Sequence, residues 1–214
     1  MLEKLLIFKL LNTLIKMNII DNDSCFARSF EKGSVSEKNF KGIEFEECHF
    51  TDCDFSNACF QDCRFINCIF KSCNLSLTKF PKTRFMDISF SECKLIGIDW
   101  TNAEWPVYHN DFGIKYYRCI LNDASYYGLT LHELEFEECT IRDADFREGD
   151  FSKSSFIACE LNRSLFMHTN LENVDFSDST SFTINVLQNR VTGAKFSRYE
   201  ALNLLESLEI DLVD

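Results

Sequence analysis

Residues 40–70 read FKGIEFEECHFTDCDFSNACFQDCRFINCIF, and every fifth residue of this stretch is phenylalanine. In an α-helix, at about 100° per residue, these side chains would scatter over all sides. In a straight strand an odd period would point successive phenylalanines to opposite faces. The chain must therefore bend once per repeat, so that each large side chain returns to one interior. Four bends of about a right angle close a coil every ~20 residues, with neighbouring coils roughly 4.8 Å apart.

The five-residue period covers most of the chain. A first register of large residues runs from Phe30 to Trp105 and a second from Tyr116 to Phe176, giving 29 repeat centres that include 17 of the 22 phenylalanines. Trp105 and Tyr116 are eleven residues apart, which indicates one inserted residue between the two blocks. Two residues before each centre, strand alternation predicts a second inward side chain, and nine of the 11 cysteines occupy this position. Large and compact side chains thus alternate along the interior.

The pattern resembles the pentapeptide-repeat family, whose consensus is a small residue, Asp or Asn, then Leu or Phe, then two variable positions. Here it reads Cys53-Asp54-Phe55 and, in the second block, Ala144-Asp145-Phe146. The resemblance implies an all-β fold, a right-handed quadrilateral β-helix with a C-terminal helical cap. We expect an N-terminal extension or helical cap over 1–25 and a β-helix over 26–181 with a register break near 106–115. A capping and dimerisation segment is expected over 182–214.

Cysteine usage and the motif inventory favour a protein without catalytic chemistry. Free cysteine is a compact residue that is readily buried, and these thiols lie in columns without histidine partners, so we expect no metal site. Parallel inward side chains and the lack of an export signal predict reduced thiols in the cytosol, with Cys59 facing outward. The sequence has no phosphate-binding glycine loop, zinc spacing or nucleophile elbow, and its four histidines are scattered. We therefore expect no enzyme activity and no cofactor.

The N-terminal 16 residues form an amphipathic pattern with helical spacing. This segment is too short and too charged to span a membrane. It is typical of a membrane-surface or partner-binding helix, of a helix that covers the first coil, or of an upstream misassigned start with translation beginning at Met17.

The C-terminal segment predicts a second helix. Ser197 and Glu200 have the spacing of a capping box, and an apolar face follows them. The members of this face that exceed what one contact needs predict a dimer contact: Leu202, Leu205 and Leu208. A monomeric cap over the last coil is the alternative.

Charge is distributed unevenly along the chain. The formal net charge is −12, and residues 121–178 hold 13 acidic residues against four basic ones. Direct DNA binding is disfavoured, because phosphate contact requires cations. An acid-rich rod suits a protein surface that itself holds DNA, whereas the alternative is an acidic surface that serves solubility. The predicted partner-binding residues are Asp123, Glu137, Glu138, Asp143 and Asp145.

Within the family the chain resembles the Qnr, MfpA and microcin-immunity group. The likeness lies in Lys71–Ser76, in Cys93–Trp100, in a mid-chain break and in the ending Glu200–Leu208. It implies a non-enzymatic DNA mimic that forms homodimers through a C-terminal helix. Its implied partner is DNA gyrase or topoisomerase IV, and its implied effect is resistance to quinolones or to a gyrase toxin.

Several Qnr proteins carry two projecting loops, whereas the first block here runs without insertion. The candidate loop is therefore confined to the break, and its predicted functional residues are Tyr108, His109, Asp111 and Phe112. The alternative function is a β-helical scaffold for a partner other than a topoisomerase. It would bind through exposed aromatic and imidazole side chains at the break: Tyr108, His109, Phe112, Tyr116 and Tyr117.

Overall fold

A parallel β-helix with four sides forms the body of the protein. The structure is a computed structural model that describes residues 24–106, 112–208 and 210. Of the 29 predicted repeat centres, 28 are buried, and Trp105 is half-buried against the same core. The fold class predicted from the period is confirmed. The expected N-terminal extension or cap over 1–25 lies, up to residue 23, outside the described residues.

We number the sides in chain order from the one that contains Phe30. The first side is a nine-stranded parallel sheet: β2 (Ser29–Glu31), β5 (His49–Thr51), β8 (Ile69–Lys71), β10 (Ile88–Ser91), β11 (Ile114–Tyr117), β12 (Glu135–Glu137), β13 (Ser155–Ile157), β14 (Asp175–Phe176) and β15 (Lys195–Phe196). The fourth side is a four-stranded sheet: β1 (Ser24–Phe26), β4 (Glu44–Glu46), β7 (Arg64–Ile66) and β9 (Arg84–Met86). The third side pairs β3 (Asn39–Lys41) with β6 (Cys59–Gln61), and isolated parallel bridges continue the second and third sides.

Each corner of the coil is a residue in the left-handed region, two positions after a centre. Twenty-six non-glycine residues have φ between 49° and 63°. For an L-residue this conformation costs about 1–2 kcal/mol. The ladder between coils offsets it, since the corner N–H donates to the next coil, as Lys32 does to the Thr51 carbonyl at 2.9 Å. The bends that the odd period requires are therefore held by coil-to-coil hydrogen bonds.

The Asp or Asn before a centre closes a local turn. Asp54 Oδ1 accepts the backbone N–H of Ser56 at 3.1 Å, and Asp150 Oδ1 accepts that of Ser152 at 3.0 Å. Short polar side chains of this type cap backbone N–H groups two residues ahead. The Asp or Asn of the repeat consensus thus accepts a backbone N–H that the ladder between coils leaves without an acceptor.

The compact inward position has a hydrogen-bonding role as well as a size limit. The Ser164 hydroxyl donates to the Ile141 carbonyl at 2.7 Å and accepts from the Ala144 N–H at 3.3 Å. The Cys73 thiol does the same between the Phe50 carbonyl and the Cys53 N–H, each at 3.4 Å. Cysteine, serine and threonine are suited to this position because they donate and accept within the space it allows.

The break between the two blocks is longer than the period predicts. On the first side, the strands before and after the break pair with their other neighbours at an offset of 20 residues, whereas Ile88 pairs with Ile114 across the break at an offset of 26. The predicted insertion of one residue is therefore wrong, and six residues are inserted. A five-residue period fixes an insertion only to within a multiple of five. Asp87 N–H bonds to the Phe112 carbonyl, so the inserted residues fall at 106–111.

The β-helix continues beyond residue 181, the boundary expected from the sequence. β15 pairs with β14, and the Phe196 ring stacks on Phe176 at 5.1 Å. The period fails locally, since Phe166 pairs with Ile184 at an offset of 18. Because of this irregular turn, the five-residue spacing does not predict the last coil. A 3-10 helix over Glu200–Leu208 follows, and a short one spans Trp100–Asn102. Within the described part of the chain no helix is long and apolar enough to cross a membrane.

Candidate functional site: the acid-rich coils

The five predicted acidic residues wrap around two corners of the rod. Glu137 ends β12 on the first side, and Glu138 forms the corner after it. Asp123 and Asp143 occupy the next corner, one coil apart, and Asp145 starts the third side. The fold brings these carboxylates into adjacent coils but not onto one flat face.

Three of the five carboxylates lie in ion pairs with arginine. Glu138 Oε2 lies 2.7 Å from Arg118 Nε. Asp143 Oδ2 lies 2.6 Å from Arg163 Nη2, whose hydrogen bond lowers the pKa of the Asp143 carboxyl. The Asp145–Arg147 contact is 2.8 Å, and that hydrogen bond likewise lowers the pKa of Asp145. Asp143 and Asp145 are therefore ionised at neutral pH, and an arginine lies beside each of the three carboxylates.

Ion pairing extends through the whole acid-rich stretch. Ten of its 13 acids pair with a basic side chain or a histidine, and nine of those partners lie on a neighbouring coil: Lys115, Arg118, His132, Arg142, Lys153, Arg163, His168, Arg190 and Lys195. Arg147 pairs with Asp145 of its own coil. Four of these bases lie outside 121–178 in the sequence. The other three acids of the stretch, Asp123, Glu137 and Asp178, form no ion pair with a described residue.

Two of the three described residues of the predicted aromatic surface at the break are interior. Phe112 is 2% exposed and packs edge-on against Trp105 at 5.0 Å. Tyr116 is also buried, and the hydrogen bond from Tyr126 Oη reaches its hydroxyl at 3.2 Å. These two residues are therefore part of the core and not interface anchors, which corrects the expectation. Tyr117 is half-buried beneath the Arg118 guanidinium. Tyr108, His109 and Asp111 lie outside the described residues.

The C-terminal helix leaves two of its predicted contact residues at the surface. Leu202 and Leu208 are 48% and 39% exposed, and Leu205 is half-buried. The predicted capping box is replaced by contacts with the coil below. Ser197 Oγ accepts from the Asp178 N–H at 2.7 Å, and Glu200 Oε2 accepts from the Ser181 N–H at 3.3 Å. The two polar side chains thus fasten the helix to the end of the rod.

The cysteine columns are interior, as expected from their positions. All 11 cysteines are free, and Cys59 alone is not fully buried. The neighbouring Cys73 sulfur and burial raise the pKa of the Cys53 thiol, so it stays protonated and unreactive. No group of three potential metal ligands occurs within the described residues.

The structure has a further surface, a groove on the third side, that the sequence pattern did not predict. On the third side of the last coils, Leu165 and Met167 are 46% and 43% exposed, and they line a groove of about 450 Å³ with Arg147 and Arg163. These residues flank the centre Phe166, so the outward column of the third side carried the signal. In the sequence these are single apolar residues at outward positions, and only the stacking of the coils places them in one groove.

The coil geometry, the left-handed corners and the paired inward columns define a pentapeptide-repeat β-helix. The sequence matches the profile of the pentapeptide repeat region over residues 43–110 and 112–176, and the chain belongs to this family. A search of curated proteins finds no match.

Solved structures with the same fold include QnrB1, a plasmid-mediated fluoroquinolone resistance protein. A trypsin-treated form is 22% identical, with coverage of 89% of this chain and 100% of that chain and a TM-score of 0.59. Full-length QnrB1 is also 22% identical, covers 87% of this chain and 100% of that chain, and has a TM-score of 0.52. At this identity the likeness concerns the fold.

Proposed function

We propose that this chain is a non-enzymatic, cytosolic DNA mimic that binds a type II topoisomerase, DNA gyrase or topoisomerase IV. In doing so it would confer resistance to quinolones or to a gyrase toxin. The observation that carries the proposal is the acid-rich half of a rod, with 13 acids against four bases in residues 121–178. QnrB1, a fluoroquinolone resistance protein, has the same fold.

The electrostatic argument rests on complementarity. A protein surface that holds DNA is cationic, and a rod that presents carboxylates on successive coils, roughly 4.8 Å apart, offers it a repeated negative charge. Asp123, Glu137 and Asp178 have no ion pair with a described residue, so their carboxylates can meet cations of a partner, although Asp178 Oδ1 also accepts from Ser197 Oγ at 3.3 Å. The 11 free thiols fit a reducing compartment.

The test is a gyrase supercoiling assay with purified protein, with and without ciprofloxacin. We expect inhibition of supercoiling, or protection from the drug, together with binding that weakens as salt is raised. Glu137→Lys with Glu138→Lys should weaken this binding, and the matched control, Glu44→Lys with Glu47→Lys at outward positions of the first block, should not. The proposal would be rejected if the protein showed no inhibition, no protection and no binding to the enzyme at low salt.

We also propose a two-fold homodimer through the C-terminal helix. Leu202 and Leu208 expose apolar surface there, beside Tyr199 at 85% exposed. Leu202→Glu would place a charge in a dry interface, which is costly, and should halve the mass measured by light scattering. Ile157→Glu, at a similarly exposed site on the first side, is the control and should leave the mass unchanged. A wild-type mass near 25.0 kDa would show that the helix is only a cap.

A scaffold for another protein is the second candidate. It is favoured by the ion pairs, because ten of the 13 acids already have a partner within the rod. A pull-down from the native host discriminates. Recovery of topoisomerase subunits supports the first function, and a different stoichiometric partner without them supports the second.

A further inference from the structure

The third-side groove is an apolar strip in the otherwise acid-rich half of the rod. Its floor is Leu165 and Met167, and its walls include Arg147 toward the first block and Arg163 at the corner. The groove has a volume of about 450 Å³. Each arginine pairs with one aspartate, yet its guanidinium keeps further donors, and the Arg147 and Arg163 side chains are 39% and 69% exposed.

The C-terminal 3-10 helix ends at this groove. Its start is fastened near the first and second sides, where Ser197 and Glu200 bond to Asp178 and Ser181. Its last turn reaches the third side, where Ser207 Oγ accepts the Val186 N–H at 3.3 Å. Asn185, directly before Val186, and Gln188, two residues after it, line the groove. The helix therefore crosses the end of the rod, and its last turn lies beside the groove.

The residues after Leu208 have the composition that the groove would bind. They read Glu-Ile-Asp-Leu-Val-Asp over 209–214, three apolar residues among three carboxylates, and all except Ile210 lie outside the described part of the chain. Six residues extend roughly 20 Å at about 3.3 Å each, which spans four coils at roughly 4.8 Å. The groove lies one to two coils from Val186, so the tail is long enough.

We propose that the C-terminal tail of this chain, residues 211–214, docks in the third-side groove of the same molecule. Leu212 and Val213 cover Leu165 and Met167, and Asp211 and Asp214 meet the guanidinium groups of Arg163 and Arg147. The N-terminal segment carries three lysines and precedes the first coil, so neither its charge nor its position suits the site. The tail acts as an intramolecular cover for an apolar surface and is independent of the topoisomerase proposal.

Two methionines make a matched pair for the test. Met167 lies in the groove at 43% exposed, and Met86 lies on the fourth side of the first block at 39% exposed. Thioether oxidation by hydrogen peroxide follows exposure. Sulfoxide formation at each residue is measured by peptide mass spectrometry in the full chain, in a chain that ends at Ile210, and in the full chain with Asp211→Lys and Asp214→Lys.

With the tail docked, Met167 oxidises several-fold more slowly than Met86 in the full chain, and the two rates converge in the other two proteins. Met86 controls for folding, because its rate is expected to be equal in all three. Equal Met167 rates with and without the tail would overturn the proposal. Protection that disappears on dilution would also overturn it, since the tail would then come from a second copy.

Discussion

The two blocks of the rod carry the same number of acids and differ in their bases. Residues 24–120 hold 13 acidic and 12 basic residues, whereas residues 121–178 hold 13 acidic and four basic ones. Counted by coils instead, residues 112–197 contain eight bases, because Lys115, Arg118, Arg190 and Lys195 lie on the same coils and pair with acids of the acid-rich stretch. The surface charge of a solenoid must therefore be counted along its columns, and a count along the chain overstates the contrast.

The interiors of the blocks also differ. In the first block phenylalanine centres occur on all four sides. In the second block the first and third sides stack aromatic rings, while most centres of the second and fourth sides are aliphatic: Leu121, Leu131, Ile141, Leu161 and Leu171. Both interiors are equally closed to solvent. The same coil thus accepts aromatic or aliphatic centres, even within one column, as at Phe151 between Leu131 and Leu171.

The largest expected effect tests whether the two interiors are equivalent. Phe65 stacks on Phe45 at 4.7 Å, and Phe146 stacks on Tyr126 at 5.0 Å. Replacing either one by alanine leaves a cavity and should cost about 3–5 kcal/mol in the free energy of unfolding. Urea denaturation measures both. A much smaller cost in one block would mean that its interior repacks and that the blocks are not equivalent.

The next effect tests the hydrogen bonds of the compact position in each block. Thr78 donates to the Phe55 carbonyl at 2.9 Å, and Ser164 donates to the Ile141 carbonyl at 2.7 Å. Thr78→Val and Ser164→Ala should each cost about 1–3 kcal/mol, because buried backbone groups lose a partner. Ala144→Ser, one coil before Ser164, is the control that adds a hydroxyl and should not destabilise. Unchanged urea midpoints for the first two variants would show that size alone selects the residue.

A smaller effect separates paired from unpaired carboxylates, and it rests on the proposed topoisomerase partner. Neutralising Asp123, Glu137 and Asp178, or instead Glu138, Asp143 and Asp145, removes three charges either way. Both sets should slow association equally, since steering depends on net charge. Only the unpaired set should speed dissociation, on the order of tenfold, or about 1.4 kcal/mol. Surface plasmon resonance checks this, and equal off-rates would mean that the ion pairs open on binding.

The smallest effect is a shift in titration. The Arg163 hydrogen bond holds the pKa of Asp143 below its ordinary value, so this contact stabilises the fold above the unfolded pKa and is lost as the pH falls through the folded one. Arg163→Gln should raise the pKa of Asp143 toward that of a free carboxyl, as measured by NMR. Arg147→Gln should raise the pKa of Asp145 and leave Asp143 unchanged. A shift of both carboxyls in either variant would contradict local pairing.

The sequence predicted the interior far better than the surface. Residues five apart share an interior, so the buried centres from Phe30 to Phe176 follow from spacing alone. The length of the insertion did not follow, because an insertion of six residues and an insertion of one leave the same remainder on division by five. The pairing of Arg163 with Asp143 depends on a neighbour one coil away, which a scan for local charge does not register.

The C-terminal end and the break also show where prediction from local sequence fails. Ser197 and Glu200 have the spacing of a capping box, but the edge of the last coil offers unpaired N–H groups at Asp178 and Ser181, and these take the side chains instead. The burial of Phe112 and Tyr116 likewise depends on how the insertion re-enters the coil. Tertiary partners decided both outcomes, and neither partner is close in sequence.

The direction of the ladder has a mechanical consequence. Strands lie across the rod, so the N–H···O bonds between coils, such as that from Asp54 N to Gly33 O at 2.8 Å, lie along its axis. A force that pulls the two ends apart loads coil after coil in series, and the terminal coil opens first with only its own few bonds to resist. A force across the rod must shear many coils together. The protein is therefore weak in tension along the rod, and it would unravel from an end one coil at a time, as expected where each repeat contacts only its neighbours.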